Sequence, residues 1–332
     1  MPLTDAPPAV VAVVASAGGV EALTSFVAML PADFPAAVLI VLHIPPEGPS
    51  VLPRILARAG KLPARHPGDG EPLARGVIMV APPNRHLTVA DQHIRLLSQA
   101  KENGHRPSAD VLLRSAAEVF GDMAAGVVLS DTMDDGAAGL RAIAAVGGLT
   151  LVQDPEEASF PGMPLAAIAE ASPQFVGPVA ALADRVCEWV AHLPGNPGGP
   201  ATLNPGPPDD PPDPPASTAL TCPECGGTLF WHDLYGAGRF RCRVGHTYSL
   251  NGLSVGKQEV LEKALWAAVV ALDEQAEVAR RILKRLGAGG RATQRQRYQE
   301  EVTLAQQRSA TLTGLIKELT DRTSMEETRR DD

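Results

Sequence analysis

Three short stretches of the sequence place groups able to perform acyl transfer directly behind apolar runs. Ser16 stands in VVASAGGV, His43 in VLHIPP, and Asp131, Asp134 and Asp135 share VVLSDTMDDGAAG. A serine hydroxyl is a weak nucleophile until a base takes its proton and a carboxylate fixes the tautomer of that base. Ser16, His43 and one of Asp131, Asp134 and Asp135 supply the three types. Small residues on both sides of Ser16 suit a sharp strand-to-helix turn, and a helix starting there offers free N–H groups to an oxyanion. The chain order Ser, His, Asp is not that of the common α/β hydrolases. On the residues alone, a Gly-rich turn for a phosphate or a purely structural turn stays open.

A second group has metal-ligand spacing. CPEC, sixteen residues, then CRVGH gives C-x2-C-x16-C-x3-H through Cys222, Cys225, Cys242 and His246. Two close pairs separated by a hairpin-sized insert suit a tetrahedral ion, zinc by default, although iron would accept the same donors. Four protein ligands leave no open position, so the site is expected to be structural, and catalysis is expected to need no cofactor.

The elements that must hold these groups follow from apolar patterning. Strand-length apolar runs at residues 10–15, 38–42, 77–80, 126–129 and 149–153 alternate with helical patterns at 19–29, 50–59, 108–120 and 136–145, then two closing helices from about 164 and 179. Short strand-like runs surround His86 and His93. Continuous apolar strands alternating with helices predict an α/β doubly wound, mainly parallel sheet covered on both faces. In such a sheet functional groups gather at the carboxyl edge of the strands, which is where Ser16, His43 and the loop of Asp131, Asp134 and Asp135 fall. Ser108 and Asp110, at the start of a helix in HRPSAD, are expected to cap it. Residues 194–219 are so rich in proline and glycine that a linker between independently folding units is expected. A small metal-binding unit then occupies 220–250. A helical hairpin fills 251–323, broken at Gly287, Gly289 and Gly290 and striped by Leu261, Val269, Ala276 and Ala279, then Val302, Ala305, Leu315 and Leu319. Residues 324–332 are expected to form a disordered tail.

The set ASAGGVEAL, HIPP, APPNRHL, HRPSADVLLRSAA, DDGAAGL and FPGMP, in this order, resembles the catalytic domain of the chemotaxis protein-glutamate methylesterases, the CheB family. The resemblance covers about residues 10–189 and assigns residues 1–193 to that domain. It implies that Ser16 is the nucleophile, His43 the base and Asp135 its orienting carboxylate. The reaction it implies is hydrolysis of glutamyl methyl esters, with possible glutamine deamidation, on the cytoplasmic helices of methylated chemoreceptors. Three residues depart from the family pattern. Ala17 replaces a threonine beside the serine, and Asp131 and Thr132 replace the glycine and methionine of T-G-M-G-N-D-G. A carboxylate there would oppose an oxyanion and raise the pKa of His43. These departures motivate the other reading, a catalytically weak esterase-like module that binds a receptor or signalling partner. The family usually carries a receiver domain ahead of the esterase. Here the esterase motif starts near the first residue, and the C-terminal units are expected to take over regulation or docking.

Composition narrows the rest. A chain of 332 residues suits two domains. A net charge of −9 argues against nucleic acid as a partner. No apolar run is long enough for a bilayer, and the run at 9–15 lacks a basic leader, so a cytoplasmic protein without direct membrane insertion is expected.

Overall fold

The computed structural model describes residues 7–44, 50–193, 217–234, 237–287 and 291–330. Strand β1 (Val10–Ala15) leads into helix α1 (Gly19–Met29), β2 (Ala37–Leu42) into α2 (Leu52–Ala59), and the short β3 (Ala64–Arg65) into β4 (Ile78–Val80). A hairpin of β5 (His86–Ala90) and β6 (His93–Leu97) precedes α3 (Ala109–Phe120). Then follow β7 (Ala124–Val128), α4 (Ala137–Ala145), β8 (Leu149–Gln153), α5 (Gly162–Ala171), β9 (Phe175–Gly177) and α6 (Val179–Ala191).

Seven strands form one parallel sheet in the order β3-β4-β2-β1-β7-β8-β9. All six residues of β1 are buried, as a central strand covered on both faces must be. Alternate residues supply opposite cores. Val11, Val13 and Ile40 pack with Leu23 and Phe26 of α1 and Leu182 and Val186 of α6. Val10, Val14 and Leu39 pack with Leu112 and Leu113 of α3 and Leu140 of α4. The chain therefore leaves β1 toward one face and β7 toward the other. That divergence between adjacent parallel strands opens a crevice at their carboxyl ends.

A four-stranded antiparallel sheet comes next, made of β10 (Ser217–Thr221), β11 (Thr228–Leu234), β12 (Ala237–Cys242) and β13 (Thr247–Tyr248). Its core among the described residues is small: Cys222, Leu229, Phe240, Cys242, Tyr248 and Leu253. Residues 194–216 of the expected linker lie outside the described residues, and 217–219 belong to β10. By compactness the chain divides into residues 1–253 and 254–332. By that division the Cys-rich sheet groups with the preceding α/β domain, and polar contacts join the two, among them the Lys101–Glu224 ion pair.

Helices α7 (Leu250–Leu286) and α8 (Ala292–Arg330) form the C-terminal hairpin. Val269, Ala276 and Ala279 of one helix and Val302, Ala305 and Ile316 of the other are buried, and Gln275 donates to Glu301 across the pair at 3.2 Å. Leu261, Leu315 and Leu319 of the expected stripe are exposed instead. Helix α8 continues to Arg330, so residues 324–330 are helical where a disordered tail was expected; no glycine or proline interrupts them. No described helix is long and apolar enough to cross a membrane.

Candidate active site and metal centre

Ser16 follows the last residue of β1. The turn that carries it is possible because Gly18 takes the left-handed conformation, with φ of 70°. A Cβ on Gly18 would lie 2.8 Å from Ser130 Oγ, and one on Gly19 would lie 2.6 Å from Ala15 Cβ. The Ser16 N–H donates to Ser130 O at 3.0 Å, tying this turn to the loop after β7. His43 stands in the same relation to β2. Its N–H donates to Ala15 O at 3.1 Å, extending a register in which Ala15 faces Leu42. Serine and histidine are therefore neighbours across adjacent parallel strands.

Asp135 closes the loop after β7 and is fully buried. Its Oδ2 lies 2.8 Å from His43 Nε2 and accepts the Ala109 N–H at 2.7 Å, while Oδ1 accepts Ser108 Oγ at 2.9 Å and the Asp110 N–H at 3.1 Å. The carboxylate of Asp135 thus caps α3. Ser108 occupies the N-cap position but makes no capping bond of its own; its hydroxyl goes to Asp135. Asp110 returns the arrangement, its Oδ1 accepting the N–H groups of Gly136 and Gly139 at the start of α4. Two helix N-termini and two buried carboxylates hold one another, which fixes the acid against the imidazole.

The other side of His43 departs from a simple triad. Asp131 Oδ2 stands 3.3 Å from His43 Nδ1, an ion-pair distance without good hydrogen-bond direction. Its Oδ1 accepts the Thr132 N–H at 2.6 Å. Both ring nitrogens therefore face carboxylates, and Ser16 Oγ makes no hydrogen bond to the ring among the described residues. Burial is the largest influence on His43 and lowers its pKa, but Asp131 and Asp135 together outweigh it and raise the group to about 9. Burial likewise favours the neutral form of Asp135, yet the His43 bond and charge hold it well below the usual carboxylate range. For Asp131 too, His43 overcomes burial and lowers the pKa. At neutral pH the site holds an imidazolium between two carboxylates.

Sequence reasoning missed His105 as a functional residue. Its ring stacks on His43 with centroids 3.9 Å apart and planes within 5°. Burial first, and the His43 charge second, lower it to about 4, so it is a neutral plate against a charged ring. The only signal was its place in HRPSAD. His86, to which the sequence assigns no role, is buried; its Nδ1 accepts the Ser108 N–H at 3.2 Å and its Nε2 lies 3.0 Å from Ala100 O. Ser16, His43, Asn84, Lys101, His105 and Arg106 open onto one cavity of about 320 Å³.

The four expected metal ligands also converge. The donor atoms of Cys222, Cys225, Cys242 and His246 lie within 4.8 Å of one another. Cys225 Sγ and Cys242 Sγ are 3.7 Å apart, and His246 Nδ1 lies 3.6 Å and 3.5 Å from Cys222 and Cys242 Sγ. A zinc tetrahedron with bonds of about 2.3 Å to sulfur and 2.0 Å to nitrogen has edges of about 3.8 Å and 3.5 Å. The residues fit the ion.

A doubly wound α/β domain that gathers hydroxyl, imidazole and carboxylate at the carboxyl edge of adjacent strands has the form of an acyl-transfer enzyme. The family model for CheB methylesterase matches residues 11–186. The chain belongs to that family. A protein-glutamate methylesterase/protein-glutamine glutaminase of Anaeromyxobacter dehalogenans is 42% identical over 183 residues, 54% of this chain and 54% of its own length. One from Myxococcus xanthus is 40% identical over 158 residues, 47% of this chain and 45% of its own length. The chain spans about half the length of these curated relatives. The crystal structure of the Thermotoga maritima CheB methylesterase catalytic domain aligns with a TM-score of 0.52 at 28% identity, covering 55% of this chain and 98% of that one.

Proposed function

We propose that this protein is a cytoplasmic protein-glutamate methylesterase that uses Ser16 as nucleophile, His43 as base and Asp135 as the carboxylate that orients it. Its substrates are methylated glutamates on the cytoplasmic helices of chemoreceptors, and glutamine side chains are a second acyl donor of the same shape. The observation that carries the reading is the 2.8 Å His43–Asp135 pair facing the cavity that also holds Ser16. Ser16 Oγ bonds to the ester carbonyl carbon while neutral His43 takes its proton. The bond to the methoxy oxygen then breaks, and methoxide leaves as methanol with that proton. Water attacks the acyl-serine while His43 again accepts a proton; the bond from the acyl carbon to Ser16 Oγ then breaks, His43 returns that proton to Oγ, and the glutamate carboxylate is released.

Asp131 modifies this scheme. His43 must first lose the proton that Asp131 and Asp135 stabilise, so the reaction is expected to favour alkaline pH. The Cys222, Cys225, Cys242 and His246 cluster is assigned a zinc ion that folds the small sheet and takes no part in bond making. A fluorophosphonate should label Ser16, identified by peptide mass, and should leave Ser16→Ala unmodified. A wild-type chain that stays unlabelled between pH 7 and 9.5 would overturn the assignment.

A further inference from the structure

Among the described residues, two of the contacts by which the metal-binding sheet meets the catalytic domain end on groups that build the crevice. The first is a strap at residues 101–105. Asn103 is buried and left-handed, with φ of 48°. It donates its N–H to Thr247 O at 2.7 Å and accepts the Ser249 N–H on Oδ1 at 2.8 Å. Thr247 donates in turn to Lys101 O at 3.3 Å, and the Lys101 ammonium pairs with Glu224 at 2.9 Å. These partners are bound closely to the ligands. Glu224 lies between Cys222 and Cys225, and Thr247 follows His246. The strap's opposite side is cavity wall, with Lys101, Gly104 and His105 beside Ser16 and His43.

The second contact is Arg239 of β12, which is 5% exposed. Its Nη2 lies 3.2 Å from Glu170 Oε1 and 3.7 Å from Asp110 Oδ2. Asp110 Oδ2 has no hydrogen-bond partner among the described residues, and the positive charges that act on it are those of Arg114 and Arg239. The same carboxylate holds the first turn of α4 through Oδ1, and its backbone N–H sits on Asp135. Loss of Arg239 would leave this buried carboxyl with Arg114 alone to offset its burial, which disfavours its charged form.

We infer that the metal-binding sheet is a working part of the esterase site: with its ion bound it fixes the strap beneath His105 and holds Arg239 as a positioning residue behind Asp110 and Asp135, so that metal occupancy governs the reactivity of Ser16. The ion touches no reacting atom. Its influence runs through the hydrogen bonds of the strap and the ion pairs of Lys101 and Arg239. A sheet with so small a core cannot keep those contacts once its four ligands are released. The inference rests on the proposed role of Ser16, and its test separates the two.

The test uses the full chain in four forms: zinc-loaded wild type, chelator-stripped wild type, zinc-loaded Arg239→Met and zinc-loaded Arg239→Lys, each with its zinc content measured. Stripping should raise hydrogen exchange at amides 101–105 by about tenfold or more, since they lose the partners that protect them. It should slow fluorophosphonate labelling of Ser16 by about tenfold or more, and returned zinc should restore the rate. Arg239→Met, with its zinc retained, should lower kcat several-fold on a small ester with KM unchanged, and Arg239→Lys should recover part of the loss. Unchanged exchange and labelling in the stripped chain, together with wild-type kcat in Arg239→Met, would overturn the inference. Failure of wild type to label at all sinks the Ser16 assignment instead, and the exchange measurement still decides the role of the metal sheet.

Discussion

Replacing Asp131 by asparagine keeps the shape of the side chain and removes one of the two negative charges that face His43. The imidazole is raised from 6.5 to about 9, so at pH 7 about 1% of it is neutral and able to accept the proton of Ser16. Asp131 stands 3.3 Å from one ring nitrogen and Asp135 2.8 Å from the other, both buried, so each carries a comparable part of the stabilisation. Assigning about one pKa unit to Asp131 predicts a neutral fraction about tenfold larger at pH 7, equivalent to about 1.4 kcal/mol. The assay is kcat/KM for a small carboxylic ester between pH 5.5 and 10. Wild type should rise along an acid limb with a midpoint near 9, because the base is inactive until it is deprotonated. In Asp131→Asn that limb should move down by about one unit, with a rate at pH 7 about tenfold above wild type and a similar plateau at high pH. An acid limb that stays in place, or a lower rate at pH 7, would show that Asp131 does not hold the proton on His43.

Other outcomes derive from the same geometry. Ser16→Ala should lower ester hydrolysis at least about a thousandfold and leave the melting temperature unchanged, since the side chain makes no hydrogen bond among the described residues; circular dichroism and initial rates check both. Gly19→Ala would set a methyl 2.6 Å from Ala15 Cβ and 2.9 Å from Leu42 Cδ1, an overpacking worth about 1–3 kcal/mol, measurable by urea denaturation. Because the folded pKa of His43 is raised, its contribution to stability is full below about 6.5 and is lost as pH rises through about 9. Urea midpoints should therefore fall across that window, and fall less in Asp131→Asn.

Much of this arrangement was legible in the residues. Continuous apolar runs of strand length such as Val10–Ala15, alternating with helical patterns, suit central strands, and a parallel sheet brings the residues just past each strand to one edge. That reasoning put Ser16, His43 and the loop of three aspartates together, the family resemblance singled out Asp135 among them, and the C-x2-C and C-x3-H pairs announced their own convergence. The edge strands β3 and β9, two and three residues long, carry too little pattern to be seen. The reciprocal capping of α3 by Asp135 and α4 by Asp110 was hidden because a cap read locally looks for its partner within the same turn, whereas these cross between helices. Arg239 in RFRCRVGH has the look of an exposed strand residue, and only tertiary packing shows it buried against Asp110. Asp131 stands out by its chemistry, but that it occupies the second nitrogen of His43 depends on a loop geometry no spacing rule supplies.

The most direct test of the central claim is methanol release from a methylated chemoreceptor cytoplasmic fragment incubated with the zinc-loaded full chain, measured against Ser16→Ala at about pH 9, where His43 is half deprotonated. Steady release by wild type and none above background by the variant is the predicted result. Equal release by the two proteins, or none by either, would contradict the account.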